Sequence, residues 1–172
     1  MKLNRRHFFS LSALVTVGIV YYFKGKKVTL FDDKTQVILA TASHLYPSSV
    51  LGFGSKEVHF SSYLAFVLAD ERIAKEDRTF LLNGGTWIEE TTIEIYKRSF
   101  LQLNHDEKEQ LLKKVTGFEW GYNYINYLLT YIFEAIFSAP IYGSNIDKIG
   151  WKWSGHNPGS PQPQKKSDII YV

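Results

Sequence analysis

Phe118-Glu119-Trp120-Gly121-Tyr122-Asn123-Tyr124-Ile125-Asn126-Tyr127-Leu128-Leu129-Thr130-Tyr131-Ile132-Phe133-Glu134-Ala135-Ile136-Phe137 is the stretch on which the fold turns. Wound at 100° per residue, its polar residues Glu119, Asn123, Asn126, Thr130 and Glu134 fall within an arc of roughly 80°, and nearly everything else on the circle is apolar or aromatic. A helix apolar over most of its circumference is not an ordinary surface helix. Either it is the central helix of a small bundle or one of its faces docks on another protein. The stripe Tyr122, Ile125, Leu129, Ile132 and Ile136 reads as core. A second stripe, Trp120, Tyr124, Tyr127 and Tyr131, stays open between internal packing and partner contact, because tyrosine and tryptophan are frequent interface anchors.

Upstream of this stretch the periodicity is helical nearly throughout. Asp32 or Asp33 caps a helix whose apolar side is Val37, Ile38, Ala40, Thr41, Ala42 and Leu45, with Pro47 just past its end. Ser48 to Lys56, with two glycines and three serines, reads as a loop. A short helix is expected from about Val58 to Asp70 with Tyr63, Leu64, Val67 and Leu68 inward. A longer one is expected from about Glu76 to Phe100, with Leu81, Ile88, Ile95 and Leu103 near one stripe. Gly84-Gly85 falls inside it, and glycine costs about 1 kcal/mol against alanine in a helix interior, so one helix and two helices joined there fit the pattern equally. Asn104-His105-Asp106-Glu107 is a capped start with acids in the first turn. Lys113-Lys114 lie in the last turn, before Gly117. The chain is therefore expected to be all-α, a bundle of about five helices.

Downstream, the pattern stops at Ser138-Ala139-Pro140. Gly143, Gly150, Gly155, Pro158, Gly159, Pro161 and Pro163 dominate a segment without an apolar period, and Pro161 to Ser167 reads as extended or unordered. Residues 156–172 are accordingly expected to be a flexible tail behind a helical domain spanning 28–155.

Residues 1–27 form a third part. Lys2, Arg5, Arg6, Lys24, Lys26 and Lys27 give it +6 with no acid, whereas the other 145 residues carry 14 basic and 17 acidic side chains, or −3. The total of +3 is thus a property of the N-terminus alone, and nothing supports a basic nucleic-acid-binding face on the remainder. His7 to Phe23 carries no formal charge. A positive stretch ahead of an apolar run is an export signal. Asn4-Arg5-Arg6-His7-Phe8-Phe9-Ser10 resembles the twin-arginine signal, with Arg5, Arg6, Phe8 and Phe9 in its recognised positions, which implies a translocase that moves folded cargo. The run is 17 residues long, at the lower limit of the roughly 17 to 25 that span a bilayer as a helix. It ends in Tyr21-Tyr22-Phe23 and lysines without a small-x-small cleavage pattern, so a removed signal and an uncleaved membrane anchor both remain open. The expected location is the periplasmic side of the cytoplasmic membrane.

The chain has no cysteine, which excludes disulfides, thiolate zinc sites, iron–sulfur clusters, covalent c-type haem and a thiol nucleophile. His44, His59, His105 and His156 are too widely spaced to imply a metal site. Glu89, Glu90 and Glu94, with Lys97-Arg98 one turn on, read as a solvated, charge-paired face. No dinucleotide fingerprint, phosphate loop or nucleophile elbow is present, so no catalytic, metal-binding or cofactor-binding residue is assigned.

Ala135-Ile136-Phe137-Ser138-Ala139-Pro140-Ile141-Tyr142-Gly143-Ser144-Asn145-Ile146-Asp147-Lys148-Ile149-Gly150-Trp151-Lys152-Trp153-Ser154-Gly155 resembles the C-terminal signature of the gluconate 2-dehydrogenase subunit 3 family. There an apolar helix runs into Phe-Ser-x-Pro-x-Tyr-Gly-Gly-Asn, then Gly-Trp and a Gly/Pro-rich end. The order of elements agrees over roughly residues 1 to 160, though only this signature and the twin-arginine segment are specific. Ser144 stands where the second glycine is usual, which is tolerable if the position does not need positive φ. The resemblance implies a small, exported, non-catalytic subunit without a cofactor of its own. Its implied partners are a large FAD-containing dehydrogenase acting on gluconate or a related sugar or polyol and a cytochrome c subunit. Pro140, Gly143 and Asn145 are expected to fix a turn that presents Tyr142, Trp151 and Trp153 to such a partner, with internal packing the competing reading, above all for Trp151. A stand-alone, membrane-tethered binding or structural protein is the other class. An apolar face left open on the folded chain favours the subunit, and a fully closed domain favours the alternative.

Overall fold

Asp33 opens the first helix, α1 (Asp33–Leu45), in a computed structural model that describes residues 32–162. The export motif, the apolar run and the segment from Pro163 lie outside the described residues. The described residues from Asp33 onward belong to one compact unit. They are all-helical, without strands, and no helix among them is long and apolar enough to cross a membrane.

α1 buries Val37, Ile38, Thr41 and Ala42. Thr41 is admitted to the core because its hydroxyl donates to the Val37 carbonyl at 2.8 Å. The stretch expected to be a loop contains one helical turn, α2 (Ser48–Leu51), which Gly52 ends at φ +79°. α3 (Phe60–Ala69) buries Phe60, Tyr63, Leu64 and Val67, as its pattern requires.

α4 (Lys75–Tyr96) runs unbroken through Gly84-Gly85, and the two glycines are the contact rather than the break. A Cβ at Gly84 would lie 2.0 Å from the Tyr124 ring, and one at Gly85 2.8 Å from both Ile38 and the Lys34 carbonyl. The propensity loss of two glycines is outweighed because helices on both sides press against bare backbone there. α4 stops at Tyr96, short of Phe100, since Lys97 takes a left-handed C-cap at φ +57°. Ile95, in the last turn of the helix, is exposed rather than inward, while Leu103 is buried from beyond the helix, behind a 3-10 turn (Phe100–Gln102).

α5 (His105–Val115) begins as read: Asn104 accepts from the Glu107 amide at 3.0 Å, and the Glu107 carboxylate accepts from the Asn104 amide at 2.9 Å. α6 (Glu119–Phe137) is the central helix, packing against α1, α3 and α4. Gly121 lets its first turn sit on Val115, where a Cβ would come within 2.1 Å of the Val115 carbonyl oxygen. Tyr122, expected in the core stripe, instead points outward from that turn and is 60% exposed; Ile125, Ile132 and Ile136 are buried as expected. A 3-10 turn (Pro140–Tyr142) and a short helix, α7 (Ile149–Ser154), complete the order, and α7 packs on α6.

Candidate docking surface

Trp120, Tyr124, Tyr127 and Tyr131 face α4. Tyr124 is wholly buried in the slot that Gly84 leaves, and Tyr131 is buried beside it. Phe80 of α4 meets Tyr127 edge-on at 5.4 Å, and Trp87 meets Trp120 at 5.5 Å, so these two are half-buried. This stripe therefore closes the bundle, and little of it is open to a partner. Burial pushes the Tyr124 hydroxyl well above its usual range.

The signature after α6 builds a second structure. Ser138 caps the helix one residue before Ala139-Pro140, and Gly143 reverses the chain at φ +91°. Asn145, 1% exposed, ties three segments together: its side-chain amide donates to the Ser138 carbonyl at 3.1 Å, its Oδ1 accepts from the Gly150 amide at 3.0 Å, and its own amide donates to the Val58 carbonyl at 2.9 Å. A left-handed φ of +48° is the conformation that asparagine tolerates among non-glycine residues, and here it aims both ends of the amide correctly. Ser144 needs no positive φ, and its hydroxyl pairs with that of Ser138 at 2.6 Å. Gly150 rests on the last turn of α6, where a Cβ would lie 2.0 Å from the Ile136 carbonyl oxygen. The knot holds Trp151 inside, with its indole N–H donating to the Phe137 carbonyl at 2.7 Å. Tyr142 is half-buried against Phe66, ring centroids 5.0 Å apart.

Trp153 alone of the three aromatic residues on this turn is open, at 53%. It closes a ring of five aromatics: Phe137 at 6.4 Å, Phe53 at 6.1 Å, Tyr46 on Phe53 at 6.0 Å and Phe133 on Tyr46 at 6.2 Å, with Phe133 and Phe137 one turn apart on α6. Tyr46 and Phe53 form a buried floor, and Phe133 and Phe137 form a rim that is 49% and 43% exposed. The sequence reading missed this rim although a signal was present. At 100° per residue Phe137 falls inside the polar arc of α6 and Phe133 at its margin, which is where a core phenylalanine does not belong.

Beside the ring lies a cleft of about 550 Å³ lined by Tyr63, Phe66, Glu134, Phe137 and Tyr142, with Asp70 and Arg72 at its edge. The Tyr63 hydroxyl donates to Glu134 at 3.1 Å, and burial, with the Glu134 charge second, pushes its ionisation far up.

The remaining titratable groups hold the surface together. The His44 ring lies 4.7 Å from that of His105 and 3.0 Å from a Glu109 oxygen, and hydrogen bonds from His44 and Lys113 draw the Glu109 carboxyl below its usual value. No group of three or more potential metal ligands occurs among the described residues. The acidic face of α4 is paired differently from expectation. Because the helix ends at Tyr96, Arg98 pairs with Glu107, and Glu89 accepts from the Phe100 amide at 2.9 Å.

The described residues form an all-helical domain that leaves a half-open aromatic ring at its surface. The gluconate 2-dehydrogenase subunit 3 family model matches residues 32–159, and the chain belongs to that family. Among curated proteins and among solved structures, none matches the chain.

Proposed function

We propose that this chain is the small, non-catalytic subunit of an exported, membrane-associated FAD-dependent dehydrogenase that oxidises gluconate or a related sugar or polyol. Membership of the family carries the reading, and the half-exposed ring of Phe133, Phe137 and Trp153 supports it, because a closed stand-alone domain has no use for such a face. FAD, and haem c where a cytochrome takes part, belong to the partner subunits; this chain contributes a docking surface, stability for the flavoprotein and an export address. With Arg5 and Arg6 read as the twin-arginine pair, folded flavoprotein crosses the membrane bound to this subunit, and residues 7–23 either tether the complex or are removed.

The test is co-expression with a candidate flavoprotein, purification through a tag on this chain, and measurement of bound flavin and dye-coupled sugar oxidation. Trp153→Ala and Phe137→Ala are expected to reduce flavin recovery, and replacing Arg5 and Arg6 by lysine to leave the complex in the cytoplasm. Full recovery of flavoprotein with well-folded ring variants would overturn the docking role.

A further inference from the structure

Glu134 sits on the exposed side of α6 between Phe133 and Phe137, and its carboxylate faces the cleft beside the aromatic ring. One of its oxygens accepts from Tyr63, and no described residue forms an ion pair with it. At the cleft edge Arg72 pairs with Asp70, its Nε 2.9 Å from Asp70 Oδ1. Glu134 thus brings to the cleft a carboxylate without an ion-pair partner among the described residues, on a body that is itself net negative. Its walls carry three packed aromatic rings, Tyr63 on Phe66 at 5.9 Å and Phe66 on Tyr142 at 5.0 Å. Such a wall attracts a guanidinium or ammonium group, and the structure already holds one there, with the Arg72 guanidinium carbon 6.0 Å from the Phe66 centroid. Phe137 lines the cleft and also belongs to the exposed ring, so the two surfaces adjoin.

We propose that this cleft receives an arginine or lysine side chain from the flavoprotein subunit, which pairs with Glu134 over the faces of Phe66 and Tyr142. The inference rests on the docking reading above and adds the chemistry of the partner. The ring supplies apolar area without direction, whereas a charge held between two ring faces fixes the register of docking.

The experiment measures the Kd between the full-length chain and the flavoprotein over a series of salt concentrations. Glu134→Gln keeps the size of the side chain and an acceptor for the Tyr63 hydroxyl. It is expected to weaken binding about tenfold and to flatten the salt dependence. Glu119→Gln, an exposed carboxylate on the same helix, is expected to change neither. Tyr142→Ala, checked for an unchanged unfolding midpoint, is expected to weaken binding by a similar factor. Parent-like affinity and salt dependence in Glu134→Gln, while Trp153→Ala still weakens the complex, would overturn the cleft assignment and leave the docking reading standing. Unchanged affinity in Glu134→Gln, Trp153→Ala and Phe137→Ala alike would overturn both. Binding of free arginine to the isolated chain, with complex affinity unaffected by Glu134→Gln, would assign the cleft to a small ligand and overturn the proposal.

Discussion

Two aromatic clusters lie on opposite flanks of α6, and they differ in what stands across from them. On one flank Tyr124 and Tyr131 are buried toward α4, where Gly84 leaves the slot that the Tyr124 ring fills, while Gly85 beside it packs against α1. On the other, Phe133 packs on the buried Tyr46 and Phe137 on the half-exposed Trp153, and the rims of the rings stay half open. The residue types are alike. What separates a sealed core from an open face is the presence of a neighbouring helix, and glycine on that helix is the mark of it.

The sharpest way to break this contrast is to put a side chain at the sealed crossing. Gly84→Ala places a methyl group in the Tyr124 ring, and the rings of Phe80 and Tyr127 nearby leave it no easy route aside. Overpacking of this kind costs roughly 3 kcal/mol, well above the roughly 1 kcal/mol gained in helix propensity, so denaturant unfolding should show a net loss. A variant as stable as the parent would mean that the crossing is looser than described.

Next in size is Asn145→Ala, which leaves the Gly150 amide and the Ser138 carbonyl without their buried partner. Two lost hydrogen bonds predict about 2 to 3 kcal/mol. Faster hydrogen exchange at Gly150 than in α4 would localise the damage to the open flank.

Alkaline titration compares the clusters directly. Burial raises the pKa of Tyr124 above 10.0 in the folded state, and those of Tyr46, Tyr63, Tyr127 and Tyr131 move the same way. The unfolded chain then releases protons first. Stability is therefore intact below pH 10.0 and falls as pH rises beyond it, by up to about 1.4 kcal/mol per unit for Tyr124 alone. Tyrosinate absorbance should appear together with unfolding for Tyr124. If it precedes unfolding for all five, the sealed flank is open to water.

The smallest effect on folding is expected on the open face. Trp153 is 53% exposed, so Trp153→Ala should cost under about 1 kcal/mol of stability, yet it should weaken the flavoprotein complex by 2 kcal/mol or more if the ring is its anchor. Thermal unfolding and binding of one purified variant decide between the two roles.

Much of this architecture was legible in the chain. The capping box at Asn104 and Glu107, the buried stripe of α1 and the extent of α6 follow from local chemistry, because caps and 3.6-residue periodicity act within one or two turns. The signature from Phe137 to Trp153 was legible as a family resemblance, though not in its geometry. Asn145 reads as a turn-former, and only the fold brings Ser138, Gly150 and Val58 within its reach. Ile95 shows the converse failure, since periodicity places it inward while in the last turn of α4, just before the left-handed Lys97, it is exposed.

By itself the sequence determined that the body is helical, that its acidic balance is separate from a basic N-terminus, and that no cysteine is available for redox chemistry. Those are sums and local periodicities, which need no knowledge of what lies opposite. Only the tertiary structure decided that Trp120, Tyr124, Tyr127 and Tyr131 close the bundle while Phe133, Phe137 and Trp153 are left at its surface. Hydrophobic burial is non-directional, so a stripe of aromatic side chains carries no record of whether its complement is a helix of the same chain or another protein. That choice was made by Gly84 and Gly85, distant along the chain from their neighbours but in direct contact in space with Tyr124 of α6 and Ile38 of α1 respectively.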